Sequence, residues 1–197
     1  MLSLLLLIPL LGAVALGLWP GHPDAAMVRR VAIALLVLQL LASLRVLLAF
    51  DPTTGGMQLQ EGLSWLGSLG LDYRLAIDGL SMPLVLVNAA LSLVAVVTSR
   101  DVQARPRLYF ALLLVISGAV NGAFLAGNLL LFFLFYELEL IPLWLLIAVW
   151  GGANRAYAAT TGVRLKSALA VAKANPRKAP RISIPETAVK IRNLVAA

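Results

Sequence analysis

Residues 128–150 read NLLLFFLFYELELIPLWLLIAVW. An apolar helix of that length, rising ~1.5 Å per residue, crosses the ~30 Å hydrocarbon core of a bilayer. Two carboxylates, Glu137 and Glu139, interrupt it near the middle. A carboxylate at such depth costs roughly 3 kcal/mol on insertion scales, so residues of this kind face a bundle interior or a wet cavity and mark a functional site. A two-residue step turns a helix by ~200°, so the two acids point to nearly opposite faces. The helical neighbours of Glu137 are Phe133, Leu134, Leu140 and Ile141, none of which can pair with it. Its partner is therefore expected on another helix or in water. Glu139 has the hydroxyl of Tyr136 three residues back. Pro142 has no N–H, which frees the carbonyl of Leu138 and predicts a loosened backbone beside the acids. Glu137 is the candidate proton-relay residue and Glu139 a secondary one. The structural alternative is that both are protonated contacts between helices.

The rest of the composition agrees with a membrane setting. Of 197 residues, 61% are hydrophobic and 13% charged, and the mean hydropathy is +0.93. With no Cys, the sequence offers no disulfide, thiolate-ligated zinc, iron–sulfur cluster or c-type haem. The only His, His22, lies in a Gly/Pro-flanked loop and is expected to be solvated. There is no G-x-G-x-x-G or Walker-type loop. No cofactor, metal or nucleotide hydrolysis is expected on this chain.

Outward from the central stretch, the sequence predicts an all-α polytopic membrane protein with about five transmembrane helices over 2–19, 31–50, 79–99, 108–126 and 128–150. Ala13-Val14-Ala15 resembles a signal-peptidase site, but no basic segment precedes the apolar run, so a retained first helix with Trp19 at the interface is expected. Arg45 sits inside the second span near its end, where snorkelling to the headgroups is expected over burial against a partner. Residues 51–77 carry the turn signals Asp51-Pro52 and Gly55-Gly56 and an amphipathic stretch around Leu63, Trp65, Leu66 and Leu69. They predict a structured interfacial loop, either a hairpin or a short helix. Asp78, at the head of DGLSMP, is placed to cap the third helix. Asn88 with Ser92, and Ser117 with Asn121, are spaced four apart and form polar stripes suited to helix–helix contact. Gly127-Asn128 is read as a tight turn into the fifth span.

Charge divides the chain. Residues 162–197 hold eight Lys/Arg and one Glu, net +7, while 1–161 hold eight basic and eight acidic residues, net zero. Residues 161–197 are thus expected to be a basic tail, broken by Pro176, Pro180 and Pro185, lying on anionic lipid or solvated. It has no aromatic residue to stack on bases, so nucleic acid is not an expected partner. Arg29, Arg30, Arg100, Arg105, Arg107 and Arg155 follow spans one, three and five; the connection after span two carries Asp51, Glu61 and Asp72 against Arg74. The positive-inside rule then sets the N-terminus outside and the tail on the cytoplasmic side.

The run NLLLFFLFYELELIPLWLLIAVWGG, with IDGLSMPL and the opening LLLLIPLLGA, resembles the chain 4 (subunit M) family of NADH–quinone oxidoreductases, complex I, and ELELIP is closest to the cyanobacterial and plastid NAD(P)H–quinone oxidoreductase type. The likeness covers residues 1 to about 160. It implies an antiporter-like, proton-translocating membrane subunit that couples electron transfer to quinone with proton movement. It implies a bacterial or cyanobacterial inner or thylakoid membrane, and as partners the other membrane subunits of a complex I-like assembly. The family's essential fifth-helix Glu falls on Glu137 and is thought to interact with a Lys two helices later; Asp78 to Pro83 match a segment that looks structural. Family members are much longer. No Lys precedes Lys166 here, so the resemblance implies a truncated subunit whose proton path is incomplete within this sequence. A frameshifted or truncated gene product would have this form. The alternatives are a cation/proton antiporter or membrane-bound hydrogenase subunit, which share the same ancestral module, and a non-catalytic membrane scaffold.

Overall fold

The computed structural model describes residues 1–21, 23–66 and 71–151, with backbone alone over 64–66 and at 71. His22, Trp65, Leu66, Leu69, Arg155 and the basic tail therefore lie outside the described residues or side chains. Two compact units divide the chain, Met1–Leu146 and Ile147–Ala197. The described part of the second is the end of the last helix and Gly151.

The elements in order are α1 (Leu2–Gly17), α2 (Ala25–Ala49), β1 (Gln58–Leu66), β2 (Leu71–Ile77), α3 (Ser81–Thr98), α4 (Pro106–Leu125) and α5 (Leu129–Trp150). The fold is thus mainly helical and polytopic. Among the described residues four helices, α2 to α5, are long and apolar enough to cross a membrane, and α1 is a shorter apolar helix. At ~1.5 Å per residue, the 16 residues of α1 reach ~24 Å, short of a full bilayer core. The second helix begins at Ala25, six residues before the apolar run, so Arg29 and Arg30 stand within its first turns rather than in a loop. Hydropathy marks where a helix enters lipid, whereas the backbone hydrogen bonds continue beyond that edge.

Among the described residues the departure from all-α is the segment 51–77, where the hairpin alternative holds. β1 and β2 pair antiparallel, with Glu61 opposite Leu75 and Leu63 opposite Tyr73. Gln58 faces Ile77, so β1 carries one more residue than β2 over that step, a bulge with Leu59 at φ 50°. An inserted residue changes the face on which the next side chains emerge. It leads into Glu61, whose carboxylate reaches the start of α1. The amides of Leu2 and Ser3 donate to Glu61 Oε1 and Oε2 at 2.9 Å each, and Ser3 Oγ donates at 2.6 Å. The terminal ammonium of Met1 pairs with the same group. An apolar helix with no capping residue of its own is thus capped by a distant strand.

Asp78 caps α3 as its position suggests. Its Oδ1 accepts from the amides of Leu80 at 3.2 Å and Ser81 at 2.7 Å. Those bonds, that of Ser81 first, hold the Asp78 carboxyl below its ordinary range. Gly127-Asn128 forms the expected turn. Asn128 Oδ1 accepts from the amide of Leu131 at 2.8 Å, capping α5, while its Nδ2 donates to the carbonyl of Asp72 at 2.6 Å. The Gly127 amide donates to the Arg74 carbonyl at 2.7 Å. A Cβ at Gly127 would stand 2.9 Å from that carbonyl oxygen, so only glycine lets the strand approach.

Helices α1 to α4 pack together, with α4 the most buried of the membrane-crossing helices and α5 the least. Two apolar clusters fill the bundle. One, beside the hairpin, includes Leu2, Leu5, Val46, Ile77, Val85, Leu125 and Leu131. The other, toward the opposite end, includes Ala13, Leu16, Val28, Leu36, Val96, Phe110 and Leu114.

Candidate functional site

Between the two apolar clusters lies a polar layer. Gln39 of α2, Ser117 and Asn121 of α4 are fully buried. Gln39 Nε2 donates to Ser117 Oγ at 3.0 Å, and Ser117 Oγ lies 3.1 Å from Gln39 Oε1. Asn88 of α3 donates to the Ser117 carbonyl at 3.0 Å and to Asn121 Oδ1 at 2.8 Å. Asn121 Nδ2 donates to the Leu5 carbonyl of α1 at 3.2 Å. That carbonyl is the one four residues before Pro9, whose ring nitrogen cannot donate to it. The proline thus opens a main-chain acceptor in the apolar interior and Asn121 satisfies it. The layer joins all four helices through uncharged groups, each link worth ~0.6 kcal/mol on average in a membrane protein.

α5 joins this bundle at its first turns. Leu131 is buried in the hairpin-side cluster and Phe135 packs against it. A Cβ on Gly122 of α4 would lie 2.4 Å from the Phe135 ring, so the ring rests directly on the α4 backbone there. Phe135 therefore marks the inward face of α5. At ~100° per residue, Glu137 is turned ~200° from Phe135 and Glu139 only ~40°. Their burial agrees: Glu137 is exposed on the outward face and Glu139 is half-buried. Among the described residues neither carboxylate has a hydrogen bond or ion pair. The Tyr136 hydroxyl expected beside Glu139 is not bonded to it; the Tyr136 ring instead stacks along Phe132, with centroids 6.1 Å apart. Pro142 lies within an α5 that runs unbroken from Leu129 to Trp150.

Glu137 stands eight residues into α5, and Ser117 eight residues before the end of α4, both counted from the hairpin side. At ~1.5 Å per residue both are ~12 Å deep, so the acid shares the level of the polar layer. The structure separates the two acids and does not bring a cation to either within the described residues. Arg45 is exposed on α2, consistent with a side chain reaching outward. Sequence reasoning found Asn88, Ser117 and Asn121 by their four-residue spacing, but not Gln39 or Glu61. Pro9 was the available signal for what Asn121 must do; nothing local announces the reach of Glu61 across 58 residues to Ser3.

These features define a class: a polytopic helical membrane segment with a bundle of four helices, an outlying fifth helix and an intramembrane carboxylate on it. No protein-family model matches the chain. It is 40% identical over 160 residues to NAD(P)H-quinone oxidoreductase chain 4 of Synechococcus sp. (strain WH7803), covering 81% of this chain and 29% of that protein. To NAD(P)H-quinone oxidoreductase chain 4 1 of Synechococcus sp. (strain JA-3-3Ab) it is 41% identical over 171 residues, covering 86% and 32%. A chain of respiratory complex I from Thermus thermophilus with bound NADH superposes with a TM-score of 0.70 at 26% identity, over 89% of this chain and 37% of that one. A chain of the membrane-bound sulfane sulfur reductase, an archaeal respiratory membrane complex, shares the fold with a TM-score of 0.66 at 17% identity, over 97% and 30%. Over the matched residues the chain is homologous to the NAD(P)H-quinone oxidoreductase chain 4 family, as the ELELIP segment led one to expect. It is an integral membrane protein and spans about 30% of the length of the curated relatives it matches.

Proposed function

We propose that this chain is the N-terminal part of an antiporter-like, proton-translocating membrane subunit of an NAD(P)H–quinone oxidoreductase, with Glu137 as its proton-relay residue and Glu139 secondary. The observation that carries this reading is a carboxylate at the middle depth of an apolar helix, turned away from the bundle that anchors that helix. Acids at this depth are expected to face a bundle interior or a wet cavity; among the described residues Glu137 faces neither, so the reading requires a further element to cover its side of α5. That element is supplied by other membrane subunits or by helices of a longer relative. The membrane is a bacterial or cyanobacterial inner or thylakoid membrane. The N-terminus, with the hairpin, faces outside and the basic side faces the cytoplasm. A non-catalytic scaffold is the second reading, favoured by the neutral character of the polar layer that joins the four helices.

The deciding experiment is NAD(P)H-driven proton uptake in membrane vesicles from cells whose only copy of this gene is parental, Glu137→Gln or Glu139→Gln. Glu137→Gln is expected to lower the initial rate at least ~10-fold while NAD(P)H oxidation by an uncoupled assay persists, and Glu139→Gln less. Uptake by Glu137→Gln at the parental rate would reject the relay role and leave the scaffold.

A further inference from the structure

Gly118 and Gly122 of α4 stand four residues apart and so lie one turn apart on the same face of the helix. Each is covered by a different neighbour. A Cβ on Gly118 would lie 2.8 Å from Leu10 Cγ and 3.2 Å from Pro9 Cγ of α1, and one on Gly122 would meet the Phe135 ring of α5. The proline-broken turn of α1 and the aromatic seat of α5 therefore rest side by side on one groove of α4. Leu10 and Phe135 also pack against the same apolar cluster. Asn121 stands beside that groove, and both ends of its side chain are engaged. Its Nδ2 donates to the Leu5 carbonyl, and its Oδ1 accepts from Asn88 Nδ2. Asn121 is fully buried, so no water stands ready to replace either link. A carboxamide held at both ends in an apolar interior has one orientation, and it fixes the turn of α4 that carries Gly122.

We propose that Asn121 is a positioning residue for the acid of α5: by tying the carbonyl that Pro9 frees to the face of α4 that seats Phe135, it fixes the direction in which Glu137 points. The path runs through contacts already in place. Pro9 leaves the Leu5 carbonyl without its helical donor, and Asn121 supplies one, so α1 sits at one height and angle on α4. Pro9 and Leu10 then fill the Gly118 end of the groove, and the Gly122 end is left to the Phe135 ring. Two residues further along α5, ~200° around the helix, Glu137 is turned away from the bundle. Asn121 bonds Leu5 and Asn88 and neither acid, so it acts through Gly122 and Phe135. The groups it joins are uncharged, so the link itself takes no proton from the acid. The consequence for transport rests on the relay reading of Glu137; the facing of α5 can be measured without transport.

The test is carbodiimide modification of Glu137 relative to Glu139 in the full chain in membranes, with proton uptake measured on the same vesicles. In the parent, Glu137 is expected to react faster. Asn121→Leu is expected to lower that preference about threefold, the size that one interhelical hydrogen bond of ordinary strength allows. Pro9→Ala gives residue 9 an amide, which restores the helical bond to the Leu5 carbonyl. Combined with Asn121→Leu, it is therefore expected to regain part of the preference, which lost packing at position 121 would not do. Asn88→Ala, at a half-buried position, removes the other anchor and is expected to lower the preference about twofold. It carries the test if Asn121→Leu does not accumulate. Equal reactivity of the two acids in the parent, a preference unchanged in either single variant, or no recovery on adding Pro9→Ala would overturn the role. A lowered preference with proton uptake at the parental rate would keep the positioning role and reject the relay reading of Glu137 instead.

Discussion

Glu61 does for α1 what a Ser or Asp commonly does from a helix's own first position. The opening MLSLLLLIPL has nothing but Ser3 to offer its own unpaired amides, and a carboxylate from the hairpin takes them. Glu61→Ala is expected to destabilise the bundle by about 1–3 kcal/mol, because the amides and the terminal ammonium lose a charged acceptor together. Thermal unfolding in detergent checks this; a midpoint equal to the parent's would show water replacing the carboxylate without loss. Asp78 makes a prediction with a pH sign. Its folded-state carboxyl is held below the ordinary value by the Ser81 and Leu80 amides. Its contribution is therefore present above the unfolded pKa of about 4 and is lost as pH falls through the lower folded value. Asp78→Ala should weaken the start of α3 at neutral pH by ~1 kcal/mol, and the difference from the parent should vanish in acid. Amide exchange over residues 80–82 at the two pH values measures it.

Among the membrane-crossing helices of the described residues, α5 is the least buried. It is held at its N-terminal end by Asn128, Leu131 and Phe135, and much of its remaining surface is exposed, including Phe133, Leu134, Ile141 and Trp144. The contact of Phe135 with Gly122 fixes which way the helix faces, and with it the outward aim of Glu137. A methyl at position 122 would overlap the ring, with carbons 2.4–2.7 Å away, and the ring cannot swing clear as a flexible chain end would. Gly122→Ala is therefore expected to loosen α5, raising amide exchange over residues 129–136. Adding Phe135→Ala should return part of that protection by removing the overlap. Additive loosening in the double variant would mean that the two residues do not oppose each other.

At the scale of the whole molecule, two exposures separate the acids. A membrane-permeant carbodiimide should modify Glu137 faster than Glu139, since the first is exposed and the second half-buried behind α4. Equal rates, mapped by mass spectrometry of the cleaved chain, would mean that α5 does not keep the facing set by Phe135. The absence of Cys makes orientation directly measurable. Thr53→Cys, on the hairpin side, should react with an impermeant maleimide from outside, and Gln103→Cys only after the membrane is breached. The reverse pattern would invert the proposed topology.

Composition and apolar runs were enough to decide that this chain is a helical membrane protein, and ELELIP, with two acids inside a span, was enough to point to its relatives. Those features are local: a helix in lipid must satisfy its own backbone, so length and hydropathy alone mark it. The caps at Asp78 and Asn128 were legible for the same reason, each acting within a few residues of itself. Only the tertiary structure decided which side of α5 faces the bundle, because helical spacing separates Glu137 from Glu139 without saying where the other helices stand. It alone brought Gln39 to Ser117 and Glu61 to Ser3, contacts made across long stretches of chain that no periodicity encodes. The proline that freed the Leu5 carbonyl was visible in the sequence; that Asn121 of α4 would answer it depended on the packing of α1 against α4.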